Sequence, residues 1–295
     1  MTPQEPNHLN RRAFARHTVG SIALGSLGLG ATLAQAQPAK TGPAGGGRIK
    51  QASCRGAFGK VSIEEMCRIC VKLGLHGIDM VKPEDWPILK KHDLICTMVS
   101  SHKLRVGLNR IENHEGCLAT LEKSIHAAAD AEFPNVICFS GNREGLSDEE
   151  GIKNCVIGLK QIAPLAEKKG ITLCMELLNS KRNHKDYQCD RTHWGAEVCK
   201  QVGSPRVKLL YDIYHMQVQE GDVIATIREY IDYIAHIHTA GVPGRHEIDE
   251  SQELYYPAIM RAIADLDFEG YVAHEYRPIK DPMECLAKAV ELCDV

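Results

Sequence analysis

Positive charge is not in excess: 35 Lys and Arg stand against 38 Asp and Glu, a formal net charge of −3 over 295 residues. A surface that binds a phosphate backbone needs the opposite balance, so nucleic acid is not expected as a partner. Aromatic residues are scarce, 5% with two tryptophans, too few rings for a base-stacking platform. No glycine-rich phosphate loop follows the first strand pattern. Gln51-Ala52-Ser53-Cys54-Arg55-Gly56 stands where one would be, which argues against a bound dinucleotide. The twelve cysteines are scattered rather than paired at zinc-finger spacing. Cys138 and Cys174 fall inside apolar strand patterns, so most of the twelve are expected as buried free thiols. What the chain has in quantity is apolar residues, 44%, enough for a full-sized core.

Residues 1–36 read as an export signal. Arg11, Arg12 and Arg16 give a cationic start with paired arginines, residues 18–33 are apolar, and Ala34-Gln35-Ala36 offers a small-x-small cleavage site. The apolar run is shorter than the ~20 residues of a membrane span and is broken by Gly20, Gly25, Gly28 and Gly30. No stable membrane anchor is therefore expected after cleavage. The pattern resembles a twin-arginine signal, which implies a periplasmic or otherwise exported protein. Loss of Glu5 and the three arginines with the signal takes the net charge from −3 to −5. Residues 37–47 are rich in Pro and Gly and read as a flexible leader.

From residue 48 to 295, short apolar runs alternate with longer amphipathic ones, with no linker between them. Strands are expected at 49–53, 77–81, 94–99, 135–139, 171–177, 207–212, 233–239 and 270–275. Several are near-continuous apolar runs, as expected for strands buried on both faces of a parallel sheet. Helices are expected near 62–74, 83–91, 117–131, 148–169, 192–202, 222–230, 253–264 and 283–293, the first opened by the cap-like Ser62-Ile63-Glu64-Glu65. Eight alternating units in about 250 residues predict an α/β chain folded as a single (β/α)8 TIM barrel over 48–295, preceded by the signal and leader.

Such a barrel gathers the C-terminal ends of its strands at one mouth. Glu176, Asp212, His238 and Glu275 end four successive strand patterns, at spacings of 36, 26 and 37 residues. They are thus expected to converge. Three carboxylates forced together repel one another unless a cation intervenes, and three oxygen ligands with one nitrogen suit a single divalent ion such as Mn2+, Mg2+, Co2+ or Zn2+. His236, two residues before His238, points the same way and is an alternative ligand; His238 is nearer the mouth. The absence of thiolate ligands argues against a structural zinc.

The runs Asp212-Ile-Tyr-His215-Met-Gln, Gly241-Val-Pro-Gly-Arg245-His-Glu and Glu275-Tyr-Arg-Pro resemble the hydroxypyruvate isomerase family, within the wider xylose-isomerase-like TIM-barrel sugar isomerases and epimerases. The resemblance implies Glu176, Asp212, His238 and Glu275 as metal ligands, Glu176 and Glu275 also as the acid–base pair, and His215 and Arg245 as substrate contacts. It further implies a small hydroxy-carbonyl or sugar substrate and an enediolate intermediate, with no hydride cofactor. For Arg245 the plain alternative is an ion pair with Glu247 or Asp249, and for His215 a packed wall with Tyr214 and Met216.

Three other readings remain on this sequence. A ketose 3-epimerase or isomerase would use the same residues. An exported sugar-binding barrel would keep the fold without turnover, although it would need no proton-carrying glutamates. A three-zinc DNA-repair nuclease on the same barrel needs an Asp-Arg-His after the seventh strand, where this chain has Gly244-Arg245-His246, and a histidine that the second strand lacks. The sequence sets no oligomeric state, and a homo-oligomer is compatible with it.

Overall fold

The computed structural model describes residues 47–295. The expected signal at 1–36, and all of the expected leader but Gly47, lie outside the described residues. Near the start of the described residues, the amide of Arg48 donates to the carbonyl of Val295 at 2.9 Å.

Seven parallel strands form one sheet in the order β2-β1-β7-β6-β5-β4-β3. These are β1 (Lys50–Cys54), β2 (Ile78–Asp79), β3 (Asn135–Cys138), β4 (Thr172–Glu176), β5 (Val207–Asp212), β6 (Ile234–Thr239) and β7 (Tyr271–His274). Every residue of β3 and β4 is buried, as their near-continuous apolar patterns predict. The nine α-helices of the described residues are α1 (Ile63–Lys72), α2 (Trp86–Lys91), α3 (His114–Asp130), α4 (Asp148–Lys169), α5 (Thr192–Val202), α6 (Ile213–Gln219), α7 (Val223–Tyr230), α8 (Tyr256–Ala264) and α9 (Pro282–Cys293).

The expected strand at 94–99 is the departure. It forms no ladder and touches its neighbours through single parallel bridges, Ile95 to Gly77 and Val99 to Val136. Backbone bonds still reach both neighbours, from the amides of Ile78 and Met80 to the carbonyls of Ile95 and Met98 and from the Val99 amide to the carbonyl of Asn135, but they do not run on as a regular ladder. The Asn135 amide donates to the carbonyl of Thr97 at 2.9 Å, and the Thr97 hydroxyl donates to Asp79. Met80, just past β2, has φ of +58°, which turns the chain out of the strand after two residues. The segment still spans the interval between β2 and β3, so the eightfold rhythm of the sequence corresponds to seven regular strands and one irregular member.

Helix ends follow local chemistry. Ser62 and Ser147 cap α1 and α4 by accepting from the amides of Glu65 and Glu150, three residues on. Gly170 closes α4 in the left-handed region, at φ +71°, where a side chain would be strained. Trp86 packs edge-on against Phe133 and Trp194 is buried, both as packing residues. All twelve cysteines are buried and unpaired, as the sequence leads one to expect. No helix among the described residues is long and apolar enough to cross a membrane.

Candidate metal and acid–base site

The barrel brings together the four residues that the sequence singles out. Glu176 and Asp212 are the last residues of β4 and β5, His238 is the penultimate residue of β6, and Glu275 directly follows β7. One ligand atom from each lies within 4.8 Å of the others. Glu176, Asp212 and His238 are buried, and the Glu275 side chain is about a fifth exposed.

Asp212 has two duties, which the Asp-x-x-His spacing explains. It caps α6, with Oδ1 accepting from the amide of His215 at 3.0 Å. Its other oxygen is left for the site. The sequence reading did not foresee α6, which starts immediately after β5 and carries His215 in its first turn. There the backbone amide of Asn179 donates to His215 Nδ1 at 3.2 Å, which makes that nitrogen an acceptor. The remaining proton of the neutral ring is then on Nε2, which is buried, has no hydrogen-bond partner, and lies 3.8 Å from Asp212 Oδ2. Burial, and Arg245 nearby, hold His215 well below the usual histidine range. His215 also packs edge-on against Tyr214 and His184, so the wall and the unpartnered donor belong to one side chain.

Arg245 does not pair with Glu247 or Asp249. Glu247 accepts the amides of Ile279 and Lys280, and Asp249 binds the Lys280 ammonium. Arg245 instead sits in the left-handed region at φ +61°, an uncommon conformation for a side-chain-bearing residue, and sends its guanidinium to Asp212 and Glu275. Its amide donates to the carbonyl of Gly241, and its own carbonyl accepts from the amide of Arg277. The loop after β6 is thereby tied to the chain after β7. A groove of about 510 Å3 is lined by Phe58, Lys60, Val61, Arg277 and Lys280 among others, so its wall is cationic.

The sequence reading missed Asp79, the last residue of β2. It is fully buried, with Oδ2 at 2.7 Å from His236 Nε2 and 2.9 Å from His238 Nε2. His236 is therefore engaged deeper in the barrel and is not among the four clustered at the mouth. A signal for Asp79 was present, since a lone carboxylate inside the apolar Gly77-Ile78-Asp79-Met80 is costly to bury without a partner. Its partners stand 157 and 159 residues further on, where no local pattern points.

The electrostatics of the four-residue group are those of crowded acids. Burial pushes Glu176 up to about 7, with Glu275 adding to the rise. Burial also raises Asp212, against the pull of Arg245. Burial would raise Glu275 as well, but His238 and Arg245 beside it hold it down at about 2. Burial opposes a charge on His238, yet Glu275 and Asp79 outweigh it and raise that ring well above its ordinary value. His238 Nδ1 is 2.9 Å from Glu275 Oε2 and 3.7 Å from Glu176 Oε1, but it makes no aligned hydrogen bond to either. An orphaned buried ring nitrogen facing hard oxygen donors fits a divalent cation.

A family model described as "Xylose isomerase-like TIM barrel" matches residues 67–292. Over 116 residues the chain is 39% identical to 2-oxo-tetronate isomerase of Cupriavidus necator, a match that covers 39% of this chain and 44% of that protein. The chain thus spans less than half the length of that relative. Over 242 residues it is 26% identical to hydroxypyruvate isomerase of Escherichia coli, covering 75% and 90% of the two chains. The solved structure of D-psicose 3-epimerase from Clostridium cellulolyticum is similar at a TM-score of 0.71, covering 84% of this chain and 100% of that one, with 15% identity. That last likeness is one of fold.

Proposed function

The chain belongs to the xylose isomerase-like TIM barrel family, and on that premise we propose that it is a metal-dependent isomerase of a small hydroxy-carbonyl substrate, most like hydroxypyruvate isomerase. The observation that carries this reading is the gathering of Glu176, Asp212, His238 and Glu275 within 4.8 Å at the ends of four successive strands. A divalent ion held by those four would polarise the substrate carbonyl and acidify the hydrogen on the adjoining carbon.

The chain's own residues supply the rest. With hydroxypyruvate, Glu176 or Glu275 takes a proton from the hydroxymethyl carbon, and the electron pair left behind makes the carbon–carbon double bond of an enediolate. The proton returns to the former carbonyl carbon, and the hydroxyl proton passes from one oxygen to the other. The product is tartronate semialdehyde, with no net gain or loss of electrons. His215 donates its Nε2 proton to a substrate oxygen, and Arg245, exchanging its contacts with Asp212 and Glu275, binds the substrate carboxylate. A ketose 3-epimerase would use the same residues but return the proton to the carbon it left, on the other face.

Incubation of the metal-supplemented protein in deuterated water with hydroxypyruvate and a panel of ketoses tests the reading. Deuterium on the former carbonyl carbon of tartronate semialdehyde supports it. Deuterium on an inverted carbon of a ketose moves the assignment to the epimerase. No exchange with any of them leaves a sugar-binding barrel in its place. We also assign the mature protein to the periplasm or another exported compartment, on the paired arginines and cleavage pattern of residues 1–36.

A further inference from the structure

We propose that Asp79 is a positioning residue of this site: it holds the Nε2 proton of His238 and thereby presents Nδ1 as the bare nitrogen that binds the ion. The proposal rests on the metal-binding reading above. Three donors converge on the Asp79 side chain. His238 Nε2 and His236 Nε2 approach Oδ2 at 2.9 and 2.7 Å, and the Thr97 hydroxyl reaches Oδ1. An ionised carboxylate can only accept, so each of the three must supply the hydrogen. That fixes the proton of neutral His238 on Nε2, on the side of the ring away from Glu176 and Glu275.

The alternative tautomer shows why this matters. With its proton on Nδ1, the ring would aim a hydrogen at the point where the four donor atoms meet, and a cation could enter only by displacing it. Asp79 excludes that state, because a lone pair on Nε2 would then face a carboxylate at 2.9 Å inside a fully buried site. It also fixes the plane of the ring. Asp79 stands on β2 and His238 on β6, three places apart in the sheet order, so the contact crosses the barrel interior rather than running along one strand. Neither residue can shift without moving a buried strand. A carboxylate behind a metal-bound imidazole raises the basicity of the ligand, and its loss typically costs about 10–100-fold in metal affinity.

The test is competitive titration of Co2+ against a chromophoric chelator, on the full mature protein, for wild type, Asp79→Asn, His238→Gln and the double variant. The proposal expects Asp79→Asn to weaken Co2+ binding by about 10–100-fold, and the double variant to bind no more weakly than His238→Gln alone. Unchanged affinity in Asp79→Asn overturns it, and so does an equal further loss in the His238→Gln background, which would mean that Asp79 acts elsewhere. Failure of the wild type to bind Co2+ at all removes the metal-binding reading itself and this proposal with it. Should Asp79→Asn fail to fold, nitrogen-15 NMR of the wild type loaded with Zn2+ decides. A His238 proton on Nε2 with the ion on Nδ1 supports the proposal, and an ion on Nε2 overturns it.

Discussion

Arg245 sets a counter-charge against two of the site's carboxylates, with its guanidinium on Asp212 and Glu275 and its central carbon 5.7 Å from the Tyr214 ring centre. Removing it takes the guanidinium from buried Asp212 and from Glu275, which keeps His238 beside it, a loss of up to about 3–5 kcal/mol for a buried pair. Arg245→Ala is therefore expected to lower the melting temperature markedly in chelator, and added Mn2+ should restore most of the loss, as thermal melts with and without the ion would show. Equal destabilisation in both conditions would deny that arginine and ion serve the same charges. Glu275→Gln keeps an oxygen donor but not a proton acceptor, so Mn2+ binding should survive in weakened form while hydrogen exchange into substrate falls by about 10²–10⁴-fold. Near-normal exchange in that variant would remove Glu275 from its acid–base role. At this scale the sequence revealed the residues that end strands, because strand position alone brings them together. It hid what depends on the third dimension: the tautomer of His215, which Asn179 sets, and the carboxylate behind His238, which comes from the other end of the chain.

The elements were legible where pattern and capping agree. The expected bounds of the helices at 148–169 and 192–202 coincide with α4 and α5, where Ser147 and Gly203 mark a beginning and an end. Ser147→Ala should cost about 1 kcal/mol, measurable by denaturant titration, since the amide of Glu150 loses its acceptor. α6 was hidden because its first residue follows the last of β5 without a loop, so the apolar run of a strand passes directly into a helix. The segment at 94–99 has a strand's composition and backbone bonds to both neighbours, but these stop short of a continuous ladder and are interspersed with side-chain bonds of Asn135 and Thr97. Its contact with β2 depends on a glycine. A Cβ on Gly77 would stand 2.3 Å from the carbonyl oxygen of Ile95 and 2.9 Å from Thr97 Cγ2. The nearer atom is backbone and cannot swing aside, so Gly77→Ala should destabilise by about 1–3 kcal/mol. It should also loosen the wall that holds Asp79, seen as faster amide exchange at Ile78 and Met80. Unaltered stability would show that this edge of the barrel is more pliable than its contacts indicate.

For the whole molecule, apolar runs alternating with amphipathic ones point to a parallel sheet buried on both faces, and the count of eight such units in about 250 residues points to a barrel rather than an open sheet. The same burial governs the thiols. It raises Cys70, Cys96 and Cys199 to about 12, so none is a thiolate near neutrality. A thiol reagent should label none of the twelve in the native protein and all of them after unfolding. Labelling of several in the native state would contradict the packing described. Twelve unpaired thiols also suit a chain that folds in a reducing compartment before export, the route proposed from its first 36 residues. The proposed chemistry depends on an ion at the mouth of the barrel, and diffraction from crystals soaked in Mn2+, recorded for anomalous scattering, tests this most directly. It predicts one strong peak at about 2.0–2.4 Å from oxygens of Glu176, Asp212 and Glu275 and from His238 Nδ1. A peak elsewhere, or Arg245 still lodged between Asp212 and Glu275 with no ion bound at saturating Mn2+, would contradict it.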